Sequence, residues 1–324
     1  MSVKLSVVIP CYQSASMIDD VVRRVRATVQ QRYHDQEYEI ILVNDASPDN
    51  TFDVLRHLAE ASPNVKVLNF SKNFGQHAAL MAGFSVSEGA VVLCMDDDGQ
   101  TPPEELFKLV DRLNDSCDLV YARYETKQHS WFRNVGSKLN DKMACSLIGK
   151  PKDLYLSSYF AAKRYLVDEV LHYTNPYPYM QGLMLRATSR VANVPISHRE
   201  RKQGQSGYTL KKLFSLWLNG FTAFSVKPLR VASLLGLAFA LLGFLSAIVV
   251  VIRRLLDPSM ALGWSSTFTL ILVMGGLILF VLGLIGEYVG RSYICLSTPP
   301  QYVIRDSLNC EASFSGSAAT KRGA

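Results

Sequence analysis

Two stretches of 22 residues without a charge, 231–252 and 264–285, constrain this chain more than any other feature. Each exceeds the roughly 20 residues needed to cross the hydrocarbon core of a bilayer. A soluble helix of that length keeps a polar face, and neither stretch has one. Both therefore read as membrane spans, joined by a short connector, 253–263, that carries Asp257-Pro258. Two spans return the chain to the side on which it started. Lys211, Lys212, Lys227, Arg230, Arg291 and Arg305 flank the outer ends, against Arg253 and Arg254 in the connector, so the basic residues favour both termini in the cytoplasm. Just before the first span, residues 209–228 set Leu213, Phe214, Leu216, Trp217 and Leu218 beside Lys211 and Lys212, the composition of an amphipathic juxtamembrane helix. The chain has 34 basic and 28 acidic residues, a net charge of +6. That surplus suits an anionic lipid surface and is too small and too scattered for a nucleic-acid partner.

The first 208 residues have a different character. Short apolar runs at 5–9, 38–43, 65–70, 90–95 and 119–122 alternate with helical spacing at 18–28, 48–58, 76–86 and 102–114. This alternation predicts an α/β fold with a mainly parallel sheet covered on both faces. Residues 130–149 are predicted helical, 157–162 a short strand before a helix through 170, and 174–179 a loop. The organisation expected is a soluble domain over 1–208, the juxtamembrane helix over 209–228, a two-span region over 229–290 and a cytoplasmic tail over 291–324. The six cysteines are spread along the chain without C-x-x-C spacing, as in a reduced compartment and unlike a zinc site or disulfide scaffold. The first apolar run ends at Pro10 after five residues, too short for a signal peptide, so the first domain is expected on the cytoplasmic side.

Chemistry gathers at the predicted strand ends. Asp96-Asp97-Asp98 follows directly on the run 90–95. Residues two apart on a strand point to the same side, so Asp96 and Asp98 can converge where open parallel sheets bind ligands. Adjacent carboxylates at an apolar strand end repel one another unless a cation neutralises them, which makes Asp98 and Asp96 candidate metal ligands. A solvated acidic turn capping the next helix accounts for one of the three aspartates. Asp45 ends another strand and can accept from a uridine, or cap the next helix. In Asn73-Phe74-Gly75-Gln76-His77, Gly75 allows close approach and the helix start favours a phosphate.

In order and spacing these motifs resemble the family 2 glycosyltransferases of GT-A fold, specifically their polyprenyl-phosphate branch with two C-terminal membrane helices. The residues that carry the resemblance are Val7-Val8-Ile9-Pro10-Cys11-Tyr12, Val43-Asn44-Asp45-Ala46-Ser47-Pro48-Asp49, Asn73-Phe74-Gly75-Gln76-His77 with Met81-Ala82-Gly83-Phe84, and Asp96-Asp97-Asp98-Gly99-Gln100-Thr101-Pro102-Pro103-Glu104. Ser130-Trp131-Phe132-Arg133, Gln203-Gly204-Gln205-Ser206-Gly207-Tyr208, Pro228-Leu229-Arg230 and Gly286-Glu287-Tyr288-Val289-Gly290-Arg291 follow in order. The resemblance implies a membrane enzyme of the bacterial cytoplasmic membrane. It would move one sugar, with inversion, from a nucleotide sugar (UDP-linked by resemblance) to undecaprenyl or another polyprenyl phosphate, with Mg²⁺ or Mn²⁺, for cell-envelope glycan or lipid modification. Some members form tetramers.

Carried onto this chain, the resemblance assigns Pro10, Tyr12 and Asp45 to the uracil and ribose, with Asn73 and Gly75 beside them. Asp96 and Asp98 form the D-x-D pair, Asp98 as direct metal ligand and Asp96 nearer the ribose. Arg201, Gln203 and Ser206, with Arg123 as a looser candidate, would meet the diphosphate or the acceptor phosphate. Two positions depart from the pattern. Gln13-Ser14 stand where Asn-Glu is usual, and the usual Gly-Asp-Phe-Arg block aligns with Ser157-Ser158-Tyr159-Phe160, so Ser158 takes the place of the family's catalytic aspartate. A lipid monophosphate, with a second pKa near about 6, is already an anion and needs little general-base help. The rival readings are a catalytically impaired nucleotide-sugar-binding subunit that partners a flippase, and a processive polysaccharide synthase. The synthase would need more spans and a Gln-x-x-Arg-Trp motif.

Overall fold

Strand β1 (Leu5–Cys11) is buried at every position, and so is β2 (Tyr38–Asn44) beside it. With β3 (Val65–Phe70) and β4 (Val91–Cys94) they form the parallel centre of the sheet. Burial on both faces explains why these strands read as unbroken apolar runs rather than as an alternation. The computed structural model describes residues 3–124, 150–197 apart from 152 and 177, scattered positions of 232–256, and 263–310 apart from 298.

Helices α1 (Ile18–Val29), α2 (Thr51–Ala61) and α4 (Leu106–Arg112) cover one face of the sheet. On α1, Ile18, Val21, Val22, Val25 and Val29 supply the buried stripe at helical spacing. The other face carries α3 (Gln76–Ser85), α5 (Arg164–Leu171) and α6 (Met180–Ala187). Helix α3 is buried from Ala78 to Phe84, and it lies so close to β1 that a Cβ added to Gly83 would stand 2.4 Å from Val8 Cγ1.

Strands β5 (Leu119–Tyr124), β6 (Phe160–Lys163), β7 (Val191–Ile196) and β8 (Ile304–Leu308) complete an eight-stranded sheet in the order β7-β5-β6-β4-β1-β2-β3-β8. The β5–β7 pair is parallel; β6 runs antiparallel to β4 and β5, and β8 antiparallel to β3. The expected α/β architecture is present, with antiparallel members at its flanks. Helix α2 starts at Thr51, three residues after the expected start, because Asp49 Oδ1 accepts from the Thr51 N–H at 3.2 Å and its hydroxyl at 2.6 Å, forming a turn.

The described residues fall into two units: the sheet with its helices, including the segment from Thr298, and a helical unit ending at Ser297. In the second, α7 (Trp264–Leu296) is one helix of 33 residues, longer than the expected span 264–285. Its segment Val273–Ile294 is, among the described residues, the one helical stretch long and apolar enough to cross a membrane, and none of it is buried. The described positions between 232 and 256 are helical, and Ala232 and Gly236 face Met274, Leu277, Ile278 and Val281 of α7 across an apolar groove. The juxtamembrane helix expected over 209–228 and the helix over 130–149 lie outside the described residues. The segment 291–324, expected as a tail, instead continues α7 to Leu296 and then supplies β8. Pairing with β8 satisfies the N–H and C=O groups that the edge of β3 would otherwise present.

Candidate active site

The C-terminal ends of β1, β2 and β4, and the turn from β3 into α3, meet at one edge of the sheet. Asp45, 4% exposed just after β2, is held there from two sides. Its Oδ1 accepts from the Phe74 N–H at 2.7 Å and its Oδ2 from the Gly75 N–H at 2.8 Å. Asn73 Nδ2 donates to the Asp45 carbonyl at 3.3 Å. Gly75 sits at φ +90°, which turns these two amides towards the carboxylate. Burial raises the Asp45 carboxyl above its ordinary range, and the two amides act against that rise. The amides at the start of α3, expected to favour a phosphate, are thus engaged by Asp45. Asn73 and Gly75, expected beside the nucleotide, brace Asp45, Gly75 at its carboxylate and Asn73 at its main-chain carbonyl.

The three aspartates after β4 have separate partners. Asp96 accepts from Gln76 Nε2 at 2.9 Å and from the Ser158 hydroxyl. Desolvation and the neighbouring Asp98 raise its pKa, while Ser158 and Gln76 lower it. Asp98 Oδ1 accepts from the Gln100 N–H at 3.0 Å. Asp97 accepts from the Tyr12 N–H at 3.0 Å, and burial pushes its carboxyl up to about 6. These residues follow the end of β4 at Cys94, where the chain bends, so Asp97 turns to the end of β1 while Asp96 meets Gln76 of α3 and Ser158 just before β6.

Of the remaining candidates, Pro10 is buried within β1 opposite Val43, while Tyr12 is 47% exposed beyond the strand end. Arg123 is exposed near the end of β5. Arg201, Gln203 and Ser206 lie outside the described residues. Sequence reasoning passed over three contributors. Asp97 lies in the bend after β4, where strand alternation gives no signal, while Gln76 could have been found from its place one residue after Gly75. Tyr124, the last residue of β5, stands in the field of Asp96 and Asp98: burial first, and then these carboxylates, raise its phenol well above the ordinary range.

Among the described residues no group of three or more His, Cys, Asp or Glu side chains could by itself hold a metal ion. Asp96 and Asp98 nevertheless suit one. They offer hard oxygen donors, and burial first, then the charge of Asp98, raises the Asp96 pKa, a penalty that a divalent cation would relieve. Mg²⁺ is commonly bound through one or two carboxylates completed by substrate phosphates and water, so two donors are enough.

Residues 6–174 match the family described as Glycosyl transferase family 2, and residues 227–292 match the GtrB C-terminal hairpin. The undecaprenyl-phosphate 4-deoxy-4-formamido-L-arabinose transferase of Proteus mirabilis is 33% identical over 305 residues, 93% of each chain. An uncharacterized glycosyltransferase, YkcC, of Bacillus subtilis is 29% identical over 310 residues, 95% of each chain. Glucosyl-3-phosphoglycerate synthase of Mycobacterium tuberculosis, solved with Mn²⁺, UDP-glucose and phosphoglyceric acid, superposes with a TM-score of 0.50 at 19% identity, covering 68% of this chain and 78% of that one. That last likeness concerns the fold.

Proposed function

The chain belongs to glycosyltransferase family 2 and is an enzyme that transfers sugar from a nucleotide donor, and on that premise we propose that its acceptor is polyprenyl phosphate at the cytoplasmic face of a bacterial membrane. The observation that carries the site reading is the edge where Asp45, Asp96, Asp97 and Asp98 gather, each braced by a named donor: Phe74 and Gly75, Gln76 and Ser158, Tyr12, and Gln100. In this reading Asp45 and Tyr12 read the nucleoside, and Asp96 and Asp98 face the diphosphate. UDP is the nucleotide we favour, supported by the uridine-accepting chemistry of a buried carboxylate and by the donor named for the Mycobacterium tuberculosis enzyme.

The reaction is read as one displacement. A phosphate oxygen of the lipid forms a bond to the anomeric carbon, the bond from that carbon to the diphosphate breaks, and the nucleoside diphosphate leaves with the electron pair, inverting the configuration. A lipid phosphate, with a second pKa near about 6, is largely dianionic at neutral pH, so Ser158 is not required to take a proton. A divalent cation held by Asp96 and Asp98 would supply charge neutralisation for the departing diphosphate. The polyprenyl acceptor is supported by the Proteus mirabilis relative and by α7, whose apolar segment suits a bilayer. Two spans are supported by the hairpin that residues 227–292 match, and both termini in the cytoplasm by the basic residues that flank its outer ends.

The test is to incubate the purified full chain with radiolabelled UDP-sugars, polyprenyl phosphate and Mn²⁺ or Mg²⁺. Label is expected in the organic phase with at least one donor. UDP binding without lipid labelling from any common donor would replace this reading with that of a nucleotide-sugar-binding subunit, the role for which Ser158 at the aspartate position leaves room.

A further inference from the structure

A row of side chains that the transfer reaction does not use joins the edge strand to the site. Cys11, Asn44, Asn69 and Asp306 are register partners on β1, β2, β3 and β8. Asn44 Nδ2 donates to Asn69 Oδ1 at 2.8 Å, and Asn69 Nδ2 donates to Asp306 Oδ2 at 2.7 Å. At the other end, Asn44 Oδ1 accepts from Ser47 Oγ at 2.7 Å, and Ser47 Oγ accepts from the Gln13 N–H at 3.2 Å. Asn44 and Asn69 are 2% and 6% exposed. A buried amide cannot turn without losing its partner, so each bond in the row fixes the orientation of the next.

The row ends on two unusual turns. Gln13 sits at φ +57° and Ala46 at φ +50°, a left-handed conformation that costs free energy in residues other than glycine and persists where neighbours enforce it. Gln13 follows Tyr12, and Ala46 follows Asp45. The strand at the far end is firmly seated. Tyr302 stacks on Phe70 with ring centroids 5.4 Å apart, Gln301 Nε2 donates to the Tyr173 carbonyl at 2.7 Å, and Asn309 Nδ2 donates to the Ala59 and Val65 carbonyls at 2.8 and 2.9 Å.

We infer that Asp306 is a positioning residue: acting through Asn69, Asn44 and Ser47, it holds the 12–13 and 46–47 turns in the shape that receives the nucleotide. The strand that enters the sheet after the membrane helix is then part of the support of the nucleotide site. The inference rests on the nucleotide reading of those turns for its binding measurement, and not for its exchange measurement.

The test uses the full chain in lipid nanodiscs, followed by hydrogen–deuterium exchange and by UDP binding. Asp306→Ala is expected to speed exchange several-fold in peptides covering 11–14 and 44–49, leave 91–94 unchanged, and weaken UDP binding by about three- to tenfold, the loss of one part-buried hydrogen bond. Asp306→Asn keeps an oxygen that can accept from Asn69, and is expected within about twofold of wild type on both readouts. Asn309→Ala removes a different anchor of the same segment, and is expected to lower the melting temperature without loosening 11–14. Unchanged exchange at 11–14 and 44–49 in Asp306→Ala would overturn the inference. Equal loosening by Asn309→Ala would overturn it too, since the segment would then act through general stability. If wild type binds no UDP, the nucleotide reading falls and the exchange result alone decides this one.

Discussion

Asp96 and Asp98 stand two residues apart yet meet different neighbours, and that difference sets what each substitution should do. Asp98 accepts from the Gln100 N–H of its own turn at 3.0 Å. Asp98→Asn is expected to cut sugar transfer at least about a hundredfold by removing a charge that, in the proposed reading, faces the leaving diphosphate. The protein should still insert in membranes and keep its melting temperature; transfer within a few-fold of wild type would remove the metal argument. Asp96 is tied to Gln76 and to Ser158. Ser158→Ala removes one of these donors and leaves the other, so a loss of about three- to tenfold in transfer is expected, with nucleotide affinity nearly unchanged. A loss beyond a hundredfold in that variant would mean that Ser158 takes part in bond making rather than in holding Asp96.

Helix α3 shows how one element serves both core and site. Its first turn supplies Gln76 to Asp96, and its body lies on β1 through Gly83. Gly83→Ala would push a methyl group into the stiff, fully buried Val8, so a loss of about 1–3 kcal/mol is expected, read as a lower melting temperature. His77, next in the same turn, has its Nδ1 shut off from solvent without a partner and packs edge-on to Tyr179. Desolvation lowers its pKa from 6.5 to about 4. The unfolded chain binds this proton near 6.5 and the folded chain only near 4, so this contribution is fully present above 6.5 and is lost as pH falls through that window. The loss amounts to about 2–3 kcal/mol. His77→Phe should flatten the fall in melting temperature between pH 7.5 and 5; an unchanged slope would show that the buried imidazole is not its source. The same residues show what a sequence can reveal. Strands β1 to β5 were legible because burial on both faces leaves unbroken apolar runs. Strands β7 and β8 were not: Val191–Ile196 includes Pro195 and is mostly half-buried, and Ile304–Leu308 holds Arg305, Asp306 and Ser307. Such an edge strand is defined by its partner, and β8 finds β3 well over 200 residues back in the chain. The aspartates were legible as a cluster, but their separate braces depend on where Gln76, Tyr12 and Ser158 arrive, which spacing alone does not give.

At the scale of the whole chain, α7 and β8 divide two tasks between adjacent segments. The segment Val273–Ile294 exposes Ile278, Leu279, Phe280, Leu282 and Val289, an apolar surface that water would penalise and lipid would not. The chain is therefore expected to stay in the membrane pellet after alkaline carbonate washing, and release into the supernatant would count against a spanning helix. The segment from Thr298 belongs instead with the sheet, where β8 pairs with β3 and Asn309 ties down the end of α2. Deleting residues 298–324 should leave carbonate resistance intact, because α7 is retained. It should also lower the melting temperature of the catalytic unit by about 5 °C or more, since the lost ladder, the Tyr302 stacking and the Asn309 bonds together exceed 1–2 kcal/mol and each kcal/mol moves a domain of this size by about 2–4 °C. If the deletion instead releases the chain from the membrane and spares the melting temperature, the two segments have exchanged roles, and the sheet does not depend on the strand that follows the span.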